Sequence, residues 1–276
     1  SPNIYHLSLY FLPSHSHCLL LQMMHPFMAL YEMTLLDHVL AIIICILAPV
    51  MAFSSRSVVI EDIELEEDEK IRLYHSNALL LFVFALVVIT IWRLPGRTLQ
   101  ALGFDWPIWS PLLGLLLLSV VLFYTLDFFF QYGLRRWRER TLREKHSTLT
   151  FVPANSKELL HFVFLALAAG IGEEIIFRGY LIHYLVYWTG HTLSGIIIAC
   201  FFASLLFAFL HGYQGYKSMI KIFVLALLFA AIFVLSQSLI LVMIIHTLID
   251  LASGWRGIYV LRNLKEGDSP DNKTEA

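Results

Sequence analysis

The stretch GIGEEIIFRG, residues 170–179, places two adjacent glutamates and an arginine in a sequence that is otherwise apolar enough for a lipid bilayer. Each such charge at the centre of a membrane helix costs roughly 2.5–3.5 kcal/mol. Glu174 and Arg178 are four residues apart and share one helix face, so we expect them to form an ion pair. Glu173 is about 100° further round the helix, and we predict that it faces a different partner.

The composition around this stretch is that of a membrane protein. Of the 276 residues, 58% are hydrophobic and 14% are charged, whereas a soluble domain is about 45–50% apolar and about 25% charged. A span needs about 20 apolar residues, and backbone groups in lipid must be paired within the segment, which favours helices. The sequence therefore predicts an all-α, polytopic transmembrane helical bundle of about seven spans: 35–53, 76–92, 108–130, 158–188, 193–211, 218–235 and 238–253.

The segment 158–188 is longer than one perpendicular span. Its 31 residues would extend roughly 46 Å as a continuous helix, so we expect it to tilt, break near Gly179 or protrude. Gly170 and Gly172 lie just before its central glutamates and are predicted to permit close approach of a neighbouring helix.

Two charged loops suggest an orientation. EDIELEEDE (61–69) reads as a solvated linker. LRRWRERTLREK (134–145) carries five arginines and one lysine, which places it on the cytoplasmic side and in contact with anionic membrane lipid. The net charge of −2, without a basic tract interleaved with aromatics, predicts no nucleic-acid partner.

The chain divides into four predicted regions. They are an N-terminal segment of doubtful status (1–32), N-terminal transmembrane helices with the basic cytoplasmic loop (33–150), a catalytic transmembrane core (151–255) and a polar tail (256–276). We expect the true start at Met33 or an earlier methionine.

Two later segments supply polar partners for Glu173. FAFLHG (207–212) contains His211, and HTLID (246–250) places His246 and Asp250 four residues apart on one face. A carboxylate withdrawn from water is a stronger base, so Glu173 with His211 could activate water while His246 stabilises an oxyanion. Alternatively, all four residues could hold a divalent metal such as zinc. Both routes lead to hydrolysis of an amide.

These motifs, in this order, resemble the CPBP family of intramembrane endopeptidases, which includes type II CAAX prenyl endopeptidases and bacteriocin self-immunity proteins. The resemblance covers about residues 101–255 and implies a helical bundle with an intramembrane catalytic cavity. The residues that carry it are Glu173, Glu174, Arg178 and Gly179, then Phe207 and His211, then His246 and Asp250. It implies that Glu173 and His211 activate water, that His246 and Asp250 lie across from them, and that Glu174 and Arg178 orient the site.

Residue 250 departs from the prenyl endopeptidases, which tend to have asparagine there. An ionised Asp250 only accepts hydrogen bonds, so it is protonated, orients His246 or binds metal; we favour the second role. There is no H-E-x-x-H motif, so zincin chemistry is not indicated, and the cofactor is left open.

The expected enzyme is an intramembrane endopeptidase of a multi-pass protein in the bacterial cytoplasmic membrane. Its expected substrate is a membrane-associated peptide or protein, with a CAAX-type or prenylated one as a candidate. The alternatives are a non-catalytic bacteriocin-immunity-like membrane protein and a proton-coupled transporter. The transporter predicts inverted repeats, and the sequence has no internal symmetry.

Overall fold

The computed structural model describes residues 31–51, 65–130 and 151–267. The basic loop 134–145, residues 1–30 of the N-terminal segment and residues 268–276 of the polar tail lie outside this part of the chain. The predictions made for them are therefore not addressed by the structure.

The described residues form eight helices and no strand. The all-α prediction is confirmed. The helices are α1 (Leu35–Met51), α2 (Glu67–Arg93), α3 (Leu99–Leu102), α4 (Pro111–Phe128), α5 (Ser156–Thr189), α6 (Leu193–Leu210), α7 (Tyr216–Ser236) and α8 (Leu239–Gly267).

Six of these helices are long and apolar enough to cross a membrane: α2 and α4 to α8. The remaining predicted span, 35–53, corresponds to the shorter helix α1 within the described residues. A multi-pass helical membrane bundle is the architecture that follows from these helices.

The acidic segment 61–69 ends inside a helix rather than in a linker. Glu66 caps α2, whose first turn contains Glu67 and Glu69, and the Glu69 carboxylate accepts the Glu66 N–H at 3.1 Å. Negative side chains at a helix N-terminus are stabilised by the free N–H groups and by the helix dipole. For residues 65–69 the prediction of a solvated linker was therefore wrong.

Helix α5 runs unbroken through the 170–179 stretch. Its middle, Ile175–Leu181, is π-helical and contains Arg178 and Gly179. Of the three alternatives, a break near Gly179 is therefore wrong, and the helix is instead locally widened there. The predicted close approaches are confirmed. A Cβ added at Gly170 would lie 2.8 Å from the backbone nitrogen of Thr247 in α8, and one at Gly172 would lie 3.2 Å from the Leu81 carbonyl oxygen in α2.

A buried ion pair fastens α1 to the rest of the bundle. The Arg97 guanidinium donates from Nη1 to Asp37 Oδ1 at 2.9 Å and from Nη2 to Oδ2 at 2.7 Å, and both side chains are almost fully buried. The Tyr180 hydroxyl of α5 donates to the Asp37 carbonyl at 2.7 Å. Asp37 thus joins α1 to the helix that carries the central glutamates.

Replacing Asp37 with alanine is expected to lower the free energy of unfolding by about 3–5 kcal/mol, because it leaves a buried guanidinium without its counter-charge. Lys157→Ala is the matched control. It removes the exposed Lys157–Glu67 pair, and an ion pair in contact with solvent contributes little to stability. Denaturation of both variants in detergent micelles measures the difference. An equal loss of unfolding free energy in the two variants would show that the buried pair stabilises the protein no more than the exposed pair does.

Candidate active site

Side chains from three helices converge around Glu173. Its Oε1 is 4.0 Å from Nε2 of His211, at the end of α6, and its Oε2 is 3.7 Å from Nε2 of His246 in α8. Asp250, one turn beyond His246, places Oδ2 3.6 Å from the same Nε2. The structure therefore brings together the four residues that the sequence singled out, and one carboxylate faces two imidazoles.

The local fold of the α6 end fixes the His211 ring. Nδ1 of His211 lies 2.8 Å from the Phe207 carbonyl. A carbonyl only accepts, so Nδ1 carries the proton and Nε2 has a lone pair when the ring is neutral. The Phe207 carbonyl belongs to the last turn of α6, where carbonyls lack helical partners. The nitrogen that faces Glu173 is therefore a proton acceptor.

His246 is held by Glu174. Its Nδ1 donates to Glu174 Oε1 at 2.7 Å, and the same oxygen accepts Nη1 of Arg178 at 2.8 Å. We expected Asp250 to orient His246, but their closest ion-pair distance, 3.6 Å, exceeds hydrogen-bonding range. Glu174 thus joins two of the three motifs in one hydrogen-bonded set.

Arg178 is enclosed by α6 and α7. Its guanidinium carbon lies 4.7 Å from the centroid of the Phe207 ring and 5.4 Å from that of Phe229, and its Nη2 donates to the Ala226 carbonyl at 3.3 Å. Cation–π contacts of this kind stabilise a desolvated guanidinium. Phe229 and Ala226 could not be singled out from the sequence, since each is one apolar residue among many in α7.

The site is closed on one side and open on the other. The side chains of Glu174 and Arg178 are 0% and 2% exposed, whereas those of Glu173, His211 and Asp250 are 15%, 20% and 29% exposed. Glu173, His211 and Asp250 are therefore partly accessible, while the Glu174–Arg178 pair is buried behind them.

The donor geometry does not support a metal centre. No group of three or more His, Cys, Asp or Glu side chains in the described part of the chain has an arrangement that could hold a metal ion. Nδ1 of His246 is bonded to Glu174 and that of His211 to the Phe207 carbonyl, which leaves the Nε2 atoms as the nitrogens that a metal could use. The metal-holding alternative for Glu173, His211, His246 and Asp250 therefore stays a prediction.

Part of the chain matches a known protein family. Residues 155–252 match the sequence model of the family described as type II CAAX prenyl endopeptidase Rce1-like. The matched stretch lies within the 101–255 region of the resemblance and contains every motif residue from Glu173 to Asp250. Neither the curated proteins nor the solved structures yield a match to the chain.

Proposed function

We propose that the chain, whose residues 155–252 match the sequence model of the Rce1-like family of type II CAAX prenyl endopeptidases, hydrolyses a peptide bond of a membrane-associated peptide or protein. The observation that carries the proposal is the Glu173 carboxylate, which faces Nε2 of His211 at 4.0 Å and Nε2 of His246 at 3.7 Å. The bacterial cytoplasmic membrane is the proposed location.

The separation between Glu173 and His211 suits a bridging water. At 4.0 Å the two atoms are too far apart for a direct hydrogen bond, and a polar contact of this length commonly contains water. Both atoms accept, so one water can donate a hydrogen to each. Its lone pair is then left to attack a substrate carbonyl carbon.

Attack transfers a proton from the water to Glu173 as the new C–O bond forms. The negative charge passes to the carbonyl oxygen of the tetrahedral intermediate. Collapse of the intermediate breaks the C–N bond, and the proton held by Glu173 goes to the leaving amine. His211 keeps the water aligned throughout, because its Nε2 accepts the second hydrogen.

His246 is suited to stabilise the oxyanion. Its Nδ1–H is fixed by Glu174, which leaves Nε2 pointed toward the open part of the site. The charge of a doubly protonated ring would be balanced by Glu173, Glu174 and Asp250, all within 4 Å of His246. Nε2–H can then donate to the developing negative charge in a site partly withdrawn from water.

The finer proposal is that the substrate is lipid-anchored, with a CAAX-type prenylated peptide as the first candidate. Lipid attachment concentrates a peptide at the bilayer by about 0.8 kcal/mol per buried CH₂. Purified protein in liposomes is expected to cleave a farnesylated CAAX-type peptide at least about 10-fold faster than the same peptide without its lipid.

Mass spectrometry of the products measures both rates, with Glu173→Gln protein as the blank. Equal rates for the two peptides would reject the lipid-anchored substrate and leave the peptidase intact. Absence of cleavage of both, and of an unmodified transmembrane peptide, would reject the peptidase.

A further inference from the structure

Among the four converging side chains, one N–H is available to the oxyanion. Ionised Glu173 and Asp250 only accept hydrogen bonds, and His211 uses its Nδ1 proton on the Phe207 carbonyl. Oxyanion sites in acyl transfer generally combine more than one preorganised donor. A second donor is therefore to be sought beside His246.

Tyr213 directly follows the His211 motif. It lies in the 3₁₀ turn Gly212–Gln214 between α6 and α7, and its ring stacks on the His211 imidazole with centroids 6.2 Å apart and planes at 29°. The tyrosine thus borders the open side of the site, where a substrate must enter.

The hydroxyl of Tyr213 is oriented by its neighbour. Nε2 of Gln214 donates to the phenol oxygen at 3.1 Å. This bond occupies a lone pair of that oxygen and leaves the O–H proton to point at a different acceptor. A donor held in this way needs little reorganisation when charge develops on the substrate.

The phenol also keeps its proton. Burial of the hydroxyl is the largest cause that raises the pKa of Tyr213, the hydrogen bond from Gln214 opposes it, and the carboxylates of Glu173 and Asp250 raise it further. The residue as a whole is 47% exposed. The phenol is therefore a neutral donor at pH 7.

We propose that the Tyr213 hydroxyl donates the second hydrogen bond to the substrate oxyanion, opposite Nε2–H of His246, and supplies the donor that Asp250 cannot. This inference rests on the proposed peptidase function. It makes Tyr213 a catalytic residue and Gln214 its positioning residue.

The test is Tyr213→Phe, which keeps the ring against His211 and removes the hydroxyl. The expected result is a fall in kcat of about 10–100-fold, with KM changed less than about 2-fold and the pH dependence of activity in the same place. Gln214→Leu is expected to give a smaller fall in kcat. Tyr216→Phe, in an exposed tyrosine at the start of α7, is the matched control and should act as wild type.

Three results would overturn the inference. An unchanged kcat in Tyr213→Phe would show that the hydroxyl is not used. A change confined to KM would assign it to substrate binding, and a displaced pH profile would show that it bonds to Glu173 instead. In each case an inactive Glu173→Gln protein shows that the peptidase proposal stands, whereas wild-type cleavage by Glu173→Gln would show that the proposed function itself has failed.

Discussion

Replacing Glu173 with glutamine is expected to lower the rate of peptide cleavage by about 10²–10⁴-fold, the usual contribution of a general base. Glutamine has the same shape but cannot take the proton of the bridging water. Because the Glu173 carboxylate stands 3.7–4.0 Å from both imidazoles, the change should leave the helix packing intact. Single-turnover cleavage followed by mass spectrometry gives the rate, and thermal denaturation in detergent verifies the fold.

Glu67→Gln is the matched control for this substitution. Glu67 is an exposed glutamate at the start of α2 that binds Lys157, far along the chain from the motifs. It should cleave at the wild-type rate. A Glu173→Gln protein that cleaves as fast as Glu67→Gln would contradict the assigned role of Glu173.

Replacing Glu174 with alanine is expected to reduce both stability and activity. The change leaves the buried Arg178 guanidinium without its counter-charge and Nδ1 of His246 without its acceptor. Loss of one partner of a buried ion pair costs about 3–5 kcal/mol. Thermal denaturation of Glu174→Ala, with Glu67→Ala as the control, measures the loss of stability. The cleavage assay measures the loss of activity.

The conservative change Glu174→Gln separates the loss of stability from the loss of activity. The amide oxygen of the glutamine can still accept a hydrogen bond from Arg178 or His246. This variant should therefore be more stable than Glu174→Ala. Activity should still fall, since the His246 charge is less well balanced. If Glu174→Ala were as stable and active as Glu67→Ala, the hydrogen-bonded set behind the site would have no function.

Much of the site could be predicted from the sequence because its chemistry lies in short helical motifs. Residues four apart share a face, so the Glu174–Arg178 pair followed from spacing alone. The convergence of Glu173, His211 and His246 was inferred from the cost of burying polar groups separately in lipid. The structure shows these groups together.

The contacts between helices could not be predicted. Spacing does not reveal which face of α8 meets α5, so the bond from His246 to Glu174 was missed and Asp250 was given its place. Gly170, which lets the Thr247 backbone come close, sets this register, since Thr247 is the next residue after His246. The π-helical segment likewise has no local sequence signal.

One buried ion pair could not be predicted because its partners are distant in the chain. Asp37 lies at the start of α1 and is buried against Arg97, which is 60 residues away in sequence. At a helix end, hydropathy alone does not show whether a polar residue contacts lipid headgroups or other parts of the protein.

The central claim is that Glu173 and His211 direct water itself onto the peptide carbonyl. A single turnover of wild-type protein in water enriched in ¹⁸O, with peptide and protein both analysed by mass spectrometry, tests it most directly. The account predicts one ¹⁸O atom in the new carboxyl group of the product and none in the Glu173 side chain. An ¹⁸O atom in Glu173 would reveal a covalent acyl intermediate and contradict the account.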